Sequence, residues 1–196
     1  MGLGYRIDPA DSALRHRVRE VEIVGNEKTT GEYASRLAGY VEGKDPIEMQ
    51  RAAPRRLAPL IAGVTDEKLR RRPASGKWST VEILAHLAED ELATSWRYRQ
   101  MIEHPGETLL GFDQDEWARR GDYALWKAGE ALELFRLLRE ANLRFLATLS
   151  PEEWESAGNH AERGRLTVRE LARHMAAHDI NHILQIEQQL LAGERS

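Results

Sequence analysis

Four long segments whose apolar residues recur at helical spacing predict an all-α fold, a four-helix bundle. Two further observations support this class. Two of the segments open with the same capping signature, and the two halves of the chain repeat one hairpin pattern. Residues 1–42 stand apart, with a strand-like run, VEIVG (21–25), and scattered glycines. They read as an N-terminal extension to a domain of residues 43–196.

The first segment, from about Ile47 to Ala62, places Leu57, Leu60, Ile61 and Val64 on one stripe, although Pro54 and Pro59 interrupt it. The second opens at Ser79. In Ser-Thr-Val-Glu (79–82) the Ser79 hydroxyl can cover the third amide while Glu82 reaches back to the Ser79 amide. It continues with Val81, Leu84, Ala85, Ala88 and Leu92 as its apolar stripe and stops at His-Pro-Gly (104–106). Residues 108–123 read as a loop. A third helix is expected from Trp126 to Leu149, with Leu132, Phe135, Leu138, Asn142, Phe145 and Leu149 on one side. The last begins at a second capping box, Thr167 with Glu170, and runs to Gly193. Residues 60–86 and 145–174 share an order of features: a helix end, a connection, then Ser/Thr-x-x-Glu and a histidine seven positions after the cap. Those histidines are His86 and His174.

Composition bounds the function. The 196 residues are 41% hydrophobic and 31% charged, enough for a core of ordinary kind. Net charge is −4 and the one basic run, Arg70-Arg71-Arg72, is short, so a nucleic-acid surface is not expected. No apolar run reaches the roughly 20 residues that cross a bilayer, and no signal-type segment is present, which predicts a cytoplasmic protein without a membrane partner. There are no cysteines, so thiol chemistry would need an external thiol.

The chemistry concentrates in HMAAHDINH (174–182), where three histidines stand four residues apart. A helix turns about 100° per residue, so neighbours four apart drift by about 40° and can share a metal, while the outer two diverge by about 80°. The stripe therefore supplies two ligands, and either adjacent pair satisfies the geometry. Val168, Leu171, Met175 and Ile186 project near His178 and His182, which places this pair at the edge of the apolar face. His86 projects among Glu82, Glu89 and Asp90. Taken alone it is a solvated histidine on an acidic face; within a bundle the same face could line a polar pocket.

KWSTVEILAHLAEDE (77–91) and HDINHILQI (178–186), with FDQDEWARR (112–120) between them, resemble the signature segments of the DinB/YfiT-like superfamily over about residues 47–191. The resemblance implies an up-down-down-up four-helix bundle carrying one divalent metal on His86, His178 and His182, with His174 outside the ligand set. It also implies a homodimer. Three neutral imidazoles leave an ion with an open position for water or substrate, and Zn²⁺, Ni²⁺ and Fe²⁺ all suit them. Glu89 and Asp90 are the expected catalytic carboxylates, as base or as orienting groups, with Asp179 behind them. Three functions fit: a metal-dependent hydrolase of a small-molecule substrate, a transferase or isomerase that uses an external low-molecular-weight thiol, and a non-catalytic metal-binding or stress-response bundle. Trp78 is expected to pack on the first turn of its helix, Trp96, Trp117, Trp126 and Trp154 to lie in the core or an interface, and Arg97 and Arg99 to face solvent.

Overall fold

The computed structural model describes residues 31–161 and 163–192. The VEIVG run lies outside this range. Four long helices dominate: α2 (Pro46–Ile61), α4 (Thr80–Glu103), α6 (Ala128–Leu146) and α7 (Val168–Ala192). Shorter helices are α1 (Gly31–Tyr40), α3 (Asp66–Arg70) and α5 (Gln114–Arg120).

Local chemistry starts these helices where the sequence predicts. Asp45 caps α2, whose first residue is Pro46, a position where the missing amide costs nothing. The helix then runs through Pro54 and Pro59 to Ile61. Ser79 closes a complete capping box on α4: its hydroxyl covers the Glu82 amide, and the Ser79 amide donates to Glu82 Oε2 at 2.8 Å. Thr167 and Glu170 do the same for α7. The loop expected over 108–123 is more ordered than its composition suggests, holding α5 and a 3₁₀ turn at Tyr123–Leu125.

Pairings along the helices fix their directions. Thr80 meets Gln189, His86 meets His178 and Thr94 meets Met175, so α4 and α7 are antiparallel. Glu91 meets both Arg139 and Asn142, and Met101 shares a cluster with Leu146, so α4 and α6 are parallel. Gln50 meets Ala172, while Leu57 packs with Ile183 and Ile186, so α2 runs with α7. The result is an up-down-down-up four-helix bundle. Burial differs from the wheel in places: Leu92, expected on the apolar stripe, is 54% exposed, while Trp96, expected in the core or an interface, is 63% exposed and so outside the core.

A small sheet, absent from the sequence reading, closes one end. Strand β1 (Thr108–Leu109) pairs in parallel with β2 (Ala157–His160), which pairs antiparallel with β3 (Gly164–Thr167). Gly158 is required here, because a Cβ would stand 2.5 Å from Leu109 Cδ2. Helix α1 buries Leu37 and Val41 against Ala176 and Ala177 of α7.

The core is divided. One apolar cluster gathers Leu57, Leu84, Leu87, Phe135, Ile183 and Ile186; a second gathers Tyr98, Met101, Leu146, Leu171 and Met175. Between them in register lie Gln50, Glu91, Arg139, Asn142 and Asp179, all buried. Arg139 is 1% exposed; its guanidinium donates to both Asp179 oxygens at 2.5 and 2.9 Å, to Glu91 at 2.7 Å and to the Gln50 carbonyl at 3.0 Å. A polar layer of this kind is tolerable because most of its groups pair with one another, although Arg139 Nε and Asn142 Oδ1 find no hydrogen-bond partner.

Candidate metal centre

The first helical turns of α4 are buried on nearly every side, because α6, α7, the short α3 and the 3₁₀ turn at Tyr123–Leu125 pack against this helix, and this settles the position of His86. It is 1% exposed, not the solvated histidine that its acidic neighbours suggest. Trp78, the residue before the cap, lays its ring 4.9 Å from the His86 ring and packs on the first apolar cluster. Across the α4–α7 seam lie His178 and His182, also buried.

The three side chains meet through the same atom. His178 Nε2 is 3.2 Å from His86 Nε2 and 3.1 Å from His182 Nε2. The outer nitrogens of His182 and His178 face other groups. His182 Nδ1 lies 2.9 Å from Gln185 Oε1, an acceptor, so Nδ1 carries the hydrogen and Nε2 is a bare lone pair. His178 Nδ1 faces Asp90 Oδ2 at 3.6 Å and makes no hydrogen bond. A hydrogen on His178 Nδ1, directed at that carboxylate, would leave His178 Nε2 bare as well. Two lone pairs facing each other at 3.1 Å repel unless a cation lies between them. A tetrahedral ion bound at about 2.0–2.1 Å sets its ligand nitrogens about 3.3 Å apart, which these separations match. The donor set fits a divalent ion, and among the described residues His86, His178 and His182 form the one group that could hold a metal.

Electrostatics agree. Burial holds all three imidazoles below their usual range, His86 and His178 well below it and His182 at about 4. Ligand histidines must be neutral, and these are neutral through the physiological range. Burial pushes the Asp90 carboxyl up to about 7, against the pull of Arg97.

The other expected residues separate. Glu89, one turn beyond His86, is half-buried and accepts a 2.6 Å hydrogen bond from the Tyr123 hydroxyl, whose ring stands 6.5 Å from Trp78. Asp179 is no candidate base, since Arg139 occupies both its oxygens. His174 stays out of the cluster; its Nδ1 is 3.0 Å from Arg163 Nη1 and its ring centroid is 6.0 Å from that of His178. The repeat therefore pairs His86 with a histidine that is not its spatial partner. Arg97 is 8% exposed and not on a solvated face, with Nη2 bonded to the Leu110 carbonyl and its guanidinium 5.4 Å from the Phe112 ring. Arg99 is half-buried over Phe145. Arg139, Tyr123 and Gln185 were not singled out from sequence. Of these, Arg139 had a signal: a charge falling on the stripe between Phe135 and Asn142.

Three imidazoles converging across one helix seam make this helical bundle a candidate metal binder. The chain belongs to the DinB superfamily, whose family model matches residues 50–186. It is 26% identical over 133 residues to a protein of Oceanobacillus iheyensis, covering 68% of this chain and 77% of that protein. It is 21% identical over 165 residues to YfiT of Bacillus subtilis, covering 82% of this chain and 93% of YfiT. The names of both relatives provisionally class them as metal-dependent hydrolases. The solved YfiT structure, described as an unusual four-helix bundle, aligns with a TM-score of 0.72 at 17% identity, covering 90% of this chain and 96% of that one.

Proposed function

We propose that this chain is a metal-dependent enzyme of hydrolytic type acting on a small substrate, with a divalent ion on His86, His178 and His182. The convergence of three imidazole nitrogens within 4.8 Å of one another, with His178 Nε2 at 3.2 and 3.1 Å from the other two, carries the reading. An ion held by three neutral imidazoles supplies a Lewis acid that polarises a substrate oxygen and acidifies water.

The chain's own residues do the rest. Gln185 fixes the tautomer of His182, and Asp90 faces the outer nitrogen of His178, so both present Nε2 inward. Glu89 is the proposed base. It lies on the His86 side of α4, Tyr123 anchors one of its oxygens, and its half-buried position gives the other access to a proton of incoming water or substrate. The apolar cluster behind Trp78 and His86 excludes water from the back of the centre.

The test is a paired measurement on protein purified without added metal. Elemental analysis should find about one Zn²⁺, Ni²⁺ or Fe²⁺ per chain, and a panel of esters, amides and phosphoesters should reveal turnover lost on chelation. Turnover that appears only when a low-molecular-weight thiol is supplied would replace hydrolysis by thiol transfer. Metal without any turnover across both panels would leave a non-catalytic metal bundle.

A further inference from the structure

One buried side chain beside the metal centre has no partner. Among the buried amide and charged side chains of the described residues, Asn181 alone makes no hydrogen bond or ion pair. It is 8% exposed. By contrast, Gln50 donates to the Ala172 carbonyl, Asn142 donates to Glu91, and Gln185 holds His182. An amide withdrawn from water without a partner weakens a fold, so native interiors keep few of them.

Its place on the helix is specific. Asn181 lies three residues beyond His178, one before His182 and four before Gln185. Side chains three and four apart on a helix are neighbours, so Asn181 stands beside His178 and beside the group that holds His182. Asp179 pairs with Arg139 in the polar layer, and Ile183 packs in the first apolar cluster. Each is two residues from Asn181, so at about 100° per residue both project nearly opposite to it. Asn181 therefore occupies the outer flank of the ligand pair. Ala177, one turn earlier, is covered by Leu37 and Val41 of α1. The Asn181 amide is not among the fully enclosed polar atoms that lack a partner, so it keeps an opening to solvent. A nearly buried amide with such an opening, beside two candidate ligands, can meet a molecule that enters from that flank.

We propose that Asn181 is a substrate-binding residue of the metal centre, and that the substrate carries a neutral carbonyl or carboxamide group next to the atom held at the ion. An amide side chain both donates and accepts, so it pairs with a carbonyl through Nδ2 and with a carboxamide through both its polar atoms. This assignment rests on the reading of His86, His178 and His182 as the metal centre.

The experiment compares two probes on the full chain loaded with Ni²⁺, as wild type and as Asn181→Ala. Acetohydroxamate offers a carbonyl and an N–H next to the oxygens that bind a metal, whereas azide binds a metal without either group. Both are titrated calorimetrically, and Ni²⁺ content is measured by elemental analysis. Acetohydroxamate affinity should fall about threefold or more in Asn181→Ala, as loss of one hydrogen bond requires, while azide affinity and Ni²⁺ content stay at the wild-type values. The melting temperature of metal-free Asn181→Ala should equal or exceed that of wild type, because alanine favours the helix and leaves no unpartnered amide. A structural amide would lower it. Ni²⁺ uptake without acetohydroxamate binding, a loss below about threefold, an equal loss for azide, or a lowered melting temperature overturns the assignment and leaves the metal centre standing. A wild-type chain that takes up no Ni²⁺ sinks the metal reading, and the assignment with it.

Discussion

Arg139 is the residue whose loss the structure prices most clearly. Arg139→Met keeps the length of the side chain and removes the charge from a layer where Arg139, Glu91 and Asp179 are each 1% exposed. Glu91 retains the Asn142 amide at 2.9 Å, but Asp179 loses the donors to both its oxygens. Breaking a buried ion pair by removing one partner costs about 3–5 kcal/mol. At about 2–4 °C per kcal/mol for a domain of this size, the melting temperature should fall by about 6–20 °C at pH 8. The loss should shrink at lower pH. Burial already raises the Asp179 carboxyl to about 6 with Arg139 opposing, so without Arg139 it rises further. A carboxyl raised in the folded state stabilises the fold by taking up its proton as pH falls, so the variant's penalty is full above its folded pKa and fades toward pH 5. Urea and thermal denaturation followed by circular dichroism at pH 8 and pH 5 measure both effects. The triple variant Arg139→Met, Glu91→Gln, Asp179→Asn should regain most of the stability, because neutral replacement of a whole buried charge cluster is often neutral or better. A penalty below about 1 kcal/mol at pH 8, or one equal at both pH values, would refute the polar-layer account.

The remaining expectations concern the metal centre and its helix. His86→Ala, His178→Ala and His182→Ala should each weaken metal affinity by more than the about 10–100-fold that loss of a supporting group causes, while His174→Ala should bind metal as wild type does; elemental analysis and competition with a colorimetric chelator decide it. Asp90→Asn should cost about 10–100-fold in metal affinity if the carboxylate orients His178, and an unchanged affinity would remove that role. Burial raises the Asp90 carboxyl to about 7, so metal uptake near neutral pH should release part of its proton, seen by calorimetry in buffers of different ionisation enthalpy and absent in Asp90→Asn. Ser79→Ala should destabilise by about 1–2 kcal/mol, since the lost hydroxyl caps a buried helix start, with thermal unfolding as the readout.

What the sequence made legible was local. Both capping boxes announce themselves within four residues, and α4 and α7 begin within a residue of where Ser79 and Thr167 predict. Four-residue spacing in HDINH is likewise local, and it puts two Nε2 atoms within 3.1 Å. The features that were hidden depend on distant partners. Strand β1 has two residues and pairs with β2 some fifty positions later, so neither carries a periodic signal of its own. Arg139 interrupts an apolar stripe and finds its carboxylates 40 and 48 residues away. A helical wheel can tell which neighbours share a face with His86, but not that three other helices cover the remaining faces; for Leu92 and Trp96 it assumed cover that does not come.

The divided core and the metal centre answer one electrostatic need. A divalent ion on three neutral imidazoles would bring two positive charges into a largely buried site, and a buried charge must be paired to be tolerated. The layer beside it holds Glu91 and Asp179 against Arg139, one negative charge in excess. Asp90, facing His178, supplies a second once it ionises. Arg97 in turn acts on Asp90, so this excess offsets only part of the charge an ion would bring. The fold therefore spends a layer of its apolar core on groups that lower the cost of the ion, and a change within that layer should be felt at the metal centre without touching a ligand.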